Sequence, residues 1–204
     1  MTTTATRRTR SDGERSRRTI LLAAARLATV EGLGGLSIGR LASETGMSKS
    51  GLFAHFGSKE KLQLATIGMA EEIFQDEVLG PATQAEGLAR VEALCDRFLS
   101  HVDRSVFPGG CFFASAAAEL DTQPGRVRDR VVSTLRDWVG LFEEAFATAR
   151  DRGEIAPEAD PDQLTFEVNA MLAEANGLYV LHGDPRYIAM ARRAIADRLE
   201  RAAA

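Results

Sequence analysis

Lysine is nearly missing from this chain. The three it has, Lys49, Lys59 and Lys61, all fall inside GMSKSGLFAHFGSKEKL at 46–62, and the other basic residues are arginines. Cysteine is as scarce: Cys95 and Cys111 stand singly with no paired spacing, which excludes a disulfide framework and a cysteine-based zinc site. Both read as small core residues. Aromatics make up only 6% of the chain and no stretch alternates apolar with polar residues, so nothing indicates a sheet. The first residues, MTTTATRRTRSDGERSRR, carry arginines but no apolar segment behind them, and no later run approaches a membrane span. A cytoplasmic protein with no membrane partner is expected. His55, His101 and His182 are scattered without a second ligand at metal spacing, so neither a metal nor a cofactor is expected.

What is present is unevenly spread. Residues 1–62 hold 11 Lys and Arg against 5 Asp and Glu, whereas residues 63–204 hold 14 against 24. A basic first third joined to an acidic remainder fits a chain that meets a polyanion with one end only.

Helical periods dominate and predict nine helices. Ile20, Ala24, Leu27 and Ala28 share one face of a first helix from about Arg15 to Glu31, which GLGG at 32–35 ends. Ser37, Ser48 and Ser58 are placed to cap the second, third and fourth helices, the last running to the Gly80-Pro81 pair. A fifth helix carries Leu88, Val91, Cys95, Phe98 and Val102 and is closed by FPGG at 107–110; a sixth covers 111–120. Thr122 and Pro124 open a long seventh, and Asp160-Pro161 and Asp184-Pro185 each set an acidic cap before a proline at the first position of the eighth and ninth.

Within 37–62, Ile38, Leu41, Met47 and Leu52 form an inner face, Ala42 permits close helix crossing and Gly46 suits a tight turn. That is the pattern of a helix-turn-helix. The third helix then begins with Ser48, Lys49, Ser50 and Gly51, short residues apart from the lysine, so its end can approach a duplex closely with free N–H groups toward phosphate. Gly51 fits either close backbone approach or a frayed end. A lysine at the start of a helix opposes the macrodipole, so Lys59 asks for an anionic partner such as a phosphate. His55 reads equally as a phosphate contact or as a half-buried ring. Arg40 joins the DNA-facing candidates.

Ile20-Leu21-x-Ala-Ala, Ser37-Ile38-x-x-Leu41-Ala42, Gly46-Met47-Ser48-Lys49 and Leu52-Phe53-x-His55-Phe56-x-Ser58-Lys59-Glu60-x-Leu62 together resemble the DNA-binding domain of the TetR/AcrR family of transcriptional regulators. The resemblance implies that Ser37, Lys49, Ser50, Phe53, His55 and Lys59 face DNA and that an arm before the first helix enters the minor groove. It also implies an all-helical effector-binding and dimerisation domain whose last two helices pair with those of a second copy. The chain departs from the family at Phe53, where tyrosine is usual, so a phosphate-reaching hydroxyl is missing. The expected organisation is a disordered basic arm at 1–14, a helix-turn-helix domain at 15–62 and an effector domain at 63–204.

Phe166, Ala170, Ala173, Gly177 and Val180 make a small-residue stripe on the eighth helix, and the ninth offers Tyr187, Ile188, Ala191, Ile195 and Leu199. These stripes fit a dimer interface or an internal core. Phe74, Phe98, His101, Phe113, Trp138, Phe142, Met171 and Asn176, with Phe112, Glu119 and Asn169 nearby in the pattern, could line an apolar pocket or be ordinary core. Gly35-Leu36-Ser37-Ile38-Gly39 matches the G-x-S-x-G nucleophile elbow, but that motif needs a strand before it and a sheet around it. An enzyme is therefore not expected. The function expected is a homodimeric repressor released from a palindromic double-stranded DNA operator by an apolar or aromatic small molecule; a DNA-binding protein without an effector is the alternative.

Overall fold

The computed structural model describes residues 3–204, with side chains from Gly13 onward. Nine helices follow one another among them: α1 (Thr3–Glu31), α2 (Ile38–Thr45), α3 (Lys49–Phe56), α4 (Lys59–Phe74, continuing through Gln75–Leu79 and Gly80–Ala82), α5 (Gly87–Asp103), α6 (Phe112–Leu120), α7 (Arg126–Asp151), α8 (Pro161–His182) and α9 (Arg186–Ala202). The only extended pairing among the described residues is a single bridge between Ile155 and Ala203. The all-helical fold is the one the periods predict.

Four boundaries differ, each for a local reason. The backbone expected as a disordered arm is helical from Thr3 and continuous with α1. No proline interrupts it, and Gly13 costs a helix only about 1 kcal/mol. The side chains of Arg7, Arg8 and Arg10, the basic groups expected in the minor groove, lie outside the described residues. In α4 the chain passes the Gly80-Pro81 pair instead of stopping there. Pro81 has no N–H for the carbonyl four residues back, and the helix widens into a π turn over Gln75–Leu79, with the Gly80 N–H bonded to the Gln75 carbonyl. Helix α7 starts at Arg126, after Gly125, whose φ of 147° lies outside the helical region. Helix α9 starts at Arg186, yet Asp184 still caps it, its Oδ1 accepting from the Arg186 N–H at 2.9 Å.

The core is continuous across the whole molecule. Ile20, Leu41, Leu52 and Leu62 are fully buried where the first four helices meet, and Phe112, Phe142 and Phe146 fill the centre of the larger bundle. Helix α4 belongs to both parts: it packs on α1 and on α7. Helix α6 also packs on α1. No helix among the described residues is long and apolar enough to cross a membrane.

Candidate functional site

The helix-turn-helix end is assembled by three serine caps in succession. Ser37 Oγ accepts from the Arg40 N–H at 3.1 Å, Ser48 Oγ from the Gly51 N–H at 3.1 Å and Ser58 Oγ from the Lys61 N–H at 3.2 Å. Each cap is worth about 1 kcal/mol and fixes where its helix begins. Gly46, at φ 68°, turns the chain between α2 and α3. Arg17 of α1 braces the far end of α3: its guanidinium donates to the His55 carbonyl at 3.0 Å and lies 4.8 Å from the centre of the Phe56 ring. With Leu52 and Phe56 turned inward, Lys49, Ser50 and Phe53 are exposed together, Phe53 at 57%.

Several expected DNA-facing groups already have partners within the chain. Arg40 is clamped between two carboxylates, its Nε donating to Glu31 at 2.8 Å and its Nη1 to Glu44 at 2.9 Å, which raises its pKa. It is committed to holding α2 against α1, a role the sequence did not reveal. The Lys59 ammonium donates to the Gly34 carbonyl; two of its three N–H donors stay open. Gly51 is kept small by its own cap, because a Cβ there would stand 3.1 Å from the Ser48 hydroxyl. His55 is half-buried. Ser37, in the apparent nucleophile motif, is a helix cap preceded by a turn and by α1, with no strand.

A second site lies along the C-terminal part of α4 and its continuation. A cavity of about 510 Å³ opens among α4, α5, α6, α7 and α8. Phe74, Phe98, Phe113 and Trp138 line it as expected, and so does Asn169. Phe74 meets Trp138 edge-on at 5.3 Å and Phe113 at 5.8 Å. The indole N–H of Trp138 donates to Asn169 Oδ1 at 2.8 Å.

Four expected lining residues are elsewhere. Phe142 is wholly buried, packed edge-on to Trp138 at 4.9 Å. Met171 packs against the core from a half-buried position. Asn176 is buried with its Oδ1 accepting the Cys111 N–H at 2.7 Å, so it fastens the start of α6 to α8. His101 lies behind Phe74, ring centres 5.9 Å apart, with neither ring nitrogen bonded; burial lowers its pKa to about 4, so it is neutral near pH 7. The polar rim of the cavity went unpredicted. Arg130, Thr134 and Asp137 lie on one side of α7, and Glu71 of α4 faces them. Their spacing, polar residues at i, i+4 and i+7 ending beside Trp138, was the available signal.

Glu119 does not line the cavity. It ends α6 by clasping the GLGG loop between α1 and α2, its carboxylate accepting from the Leu33 and Gly34 N–H groups, each at 2.6 Å. A Cβ at Gly34 would stand 2.5 Å from Glu119 Oε1. The same loop is held from α4 by Gln63, whose amide donates to the Leu33 carbonyl at 2.8 Å, and by Lys59. FPGG makes a similar close fit at the other end of α6: a Cβ at Gly109 would lie 1.9 Å from the Thr29 carbonyl of α1.

On α8 the small-residue stripe faces outward. Phe166 is 70% exposed and Val180 42%, with Ala170, Ala173 and Gly177 exposed between them, although Ala173 also lines the cavity. Leu181 at the end of α8 and Met190 on α9 are exposed as well. Helix α9 corrects its half of the expectation: Ile188 and Ile195 are buried inside the chain, together with Ala191 and Leu199, and Tyr187 is half-buried. Their surface is already used by this chain's own core.

Comparison with known proteins agrees with this geometry. Residues 20–66 match the family model described as bacterial regulatory proteins, tetR family, and residues 87–195 that described as tetracyclin repressor-like, C-terminal domain. The HTH-type transcriptional regulator LmrA of Bacillus subtilis (strain 168) is 27% identical over 163 residues, 77% of this chain and 82% of its own length. A TetR transcriptional regulator from Chloroflexus aurantiacus J-10-FL has a TM-score of 0.86 at 27% identity, over 95% of this chain and 98% of that one. AibR, solved in complex with isovaleryl coenzyme A and operator DNA, has a TM-score of 0.72 at 25% identity, over 91% and 98%. The reading head and more than half of the full length each fall within a model of one family, and the chain belongs to the TetR family of transcriptional regulators.

Proposed function

We propose that this regulator is a homodimeric repressor that a small molecule releases from a near-palindromic operator. The observation that carries the ligand dependence is the placement of α6. Cys111, Phe113 and Ala114 at its start line the cavity, and Glu119 at its end holds the loop that leads into Ser37 and the helix-turn-helix. A molecule that fits only when α6 or α4 shifts therefore pulls on that loop. Two reading helices fit successive major grooves only at a separation of about 34–36 Å. A change of that separation weakens both half-sites together.

On DNA, Lys49 and Ser50 at the exposed start of α3 are the base-reading groups, Gly51 and Ser48 allow close approach, and Lys59 and His55 contact phosphate. Ser37 Oγ is engaged by the Arg40 N–H and still has its hydroxyl hydrogen for a phosphate oxygen. The outward stripe of α8 is the dimer contact, since small residues let two helices approach and an exposed Phe166 and Leu181 need covering. AibR, with its ligand and operator in one structure, is a relative of the same general design.

Selection of bound fragments from random or genomic DNA, followed by release with candidate compounds, tests the reading. A two-fold symmetric site with steep salt dependence is expected, because each neutralised phosphate releases counterions. Lys59→Ala should weaken all duplexes alike, while changes at Lys49 or Ser50 should alter the preference among operators. Binding indifferent to sequence would overturn it.

A further inference from the structure

We propose that the cavity is built for a lipophilic cation: a bulky, aromatic-rich molecule with one positive charge. This rests on the cavity being the effector site, and it names the chemistry that site selects.

The wall is aromatic, with Phe74, Phe98 and Trp138 contributed by three different helices. Such rings attract a cation over their faces as well as burying apolar surface. Charge at the rim then decides the sign. Three charged side chains reach the cavity: Glu71 from α4, and Arg130 and Asp137 from α7. The lining residues from α5, α6 and α8 carry no charge, because the Cys111 thiol, the one titratable group among them, has its pKa raised by burial. Glu71 and Arg130 cancel one another. The carboxylate takes two guanidinium N–H groups at 2.8 and 2.5 Å, and the Thr134 hydroxyl at 2.7 Å. Asp137 remains, exposed, without an ion pair or hydrogen bond among the described residues although near enough to Arg130 to help raise that guanidinium's pKa, and beside Trp138 in sequence; the three charges still sum to one negative. The rim therefore carries one uncompensated negative charge.

The hydrogen-bond inventory points the same way. An anion needs donors, and most of those nearest the cavity are engaged: the Trp138 N–H by Asn169, the Thr134 hydroxyl and two of the five Arg130 N–H groups by Glu71, which also neutralises that guanidinium, and the Cys111 N–H by Asn176. The neutral donors left open are Gln75, Ser133 and the second amide N–H of Asn169, whose first is bound to the Thr165 carbonyl. A cation requires no donor from the protein, only Asp137 and the ring faces.

Trp138 is the only tryptophan in the chain, so binding can be read directly from its fluorescence. The full-length protein is titrated with tetraphenylphosphonium, with neutral triphenylphosphine oxide and with tetraphenylborate, which has nearly the shape of the first and the opposite charge. Tetraphenylphosphonium is expected to bind on the order of tenfold tighter than tetraphenylborate. Asp137→Asn should shrink that ratio severalfold. Equal or tighter binding of the borate, an unchanged ratio in Asp137→Asn, or no response of Trp138 to any of the three would overturn the inference. Operator affinity measured in the same samples separates the two levels. Intact operator binding with no preference for the cation removes this inference and leaves the regulator standing. Cation binding that leaves operator affinity unchanged supports this inference and removes the proposed release.

Discussion

The two ends of α4 serve two machines built on opposite principles. At Lys59 the helix belongs to a small unit whose working groups lie on exposed, serine-capped helix ends, where affinity for a polyanion is electrostatic and salt-dependent. At Phe74 it belongs to a bundle whose proposed working surface is an aromatic cavity, where affinity would come from apolar area removed from water. The first holds its geometry by local bonds, the second by packing between distant helices. A ligand in the second can alter the first only through the few places where they touch. Those are α4 itself and the two glycine loops that flank α6, GLGG against Glu119 and FPGG against Thr29.

The largest expected effect breaks the proposed pairing of two copies through α8. Gly177 has open space around a built Cβ, so Gly177→Asp should fold as a monomer and fail to pair. Operator affinity should fall at least on the order of a hundredfold, because half-sites no longer bind as a linked pair. Sedimentation and operator titration on one preparation check it; a monomer with full operator affinity would refute the α8 interface.

The second prediction separates the bundle from the reading head by acid. His101 is buried and neutral, with its pKa lowered to about 4 by burial. As pH falls below about 6.5 the unfolded chain gains a proton that the folded chain refuses until about 4, so stability is lost on acidification through that window. The slope is about 1.4 kcal/mol per pH unit at most. His101→Phe should flatten that part of the pH profile in denaturant melts while leaving salt-dependent DNA binding near pH 7 unaltered. An unchanged slope would mean that the ring is charged inside the fold or already solvated.

What was legible in the sequence follows the same division. Ser37, Ser48, Ser58 and Gly46 act on neighbours a few residues away, so their roles could be read from spacing. The aromatics of the cavity could be nominated, since bulk on an apolar face is visible, but not sorted. Phe98 and Phe142 look alike in pattern, and only the crossing of five helices makes one a wall and the other a plug. Glu119 was misread for the same reason. Its partners, Leu33 and Gly34, lie far from it along the chain, and GLGG reads as a helix stop whether or not a carboxylate grips it. Arg40 went the other way: a basic residue beside a helix-turn-helix looks DNA-facing until the geometry shows Glu31 and Glu44 around it.

A smaller effect is expected where the two machines join. Glu119→Ala leaves the Leu33 and Gly34 N–H groups without their acceptor, and should cost about 1–2 kcal/mol in stability. Its informative consequence is in coupling. Operator affinity without ligand should change only severalfold, while the ratio of affinities with and without an effector should move toward one. If that ratio is unchanged, the signal travels through α4 or the FPGG contact with Thr29 instead.

The smallest effect sharpens the reading head itself. Phe53 is 57% exposed on the same short helix as Lys49 and Ser50, while its neighbours Leu52 and Phe56 are buried. An exposed ring there gives the bundle nothing, and its para edge is free to meet a phosphate backbone if α3 docks on DNA as proposed. Phe53→Tyr adds one donor at that edge without disturbing the core. A hydrogen bond to a charged acceptor is worth about 1.5–3 kcal/mol when fully realised. The expected gain is under about 1 kcal/mol, since water already satisfies that phosphate in the parent complex. The gain should be equal on operator and on unrelated duplex at matched salt, because a phosphate contact positions the protein without reading bases. A gain confined to the operator would place residue 53 at a base edge instead, and would move the reading surface of α3 one turn further along the helix.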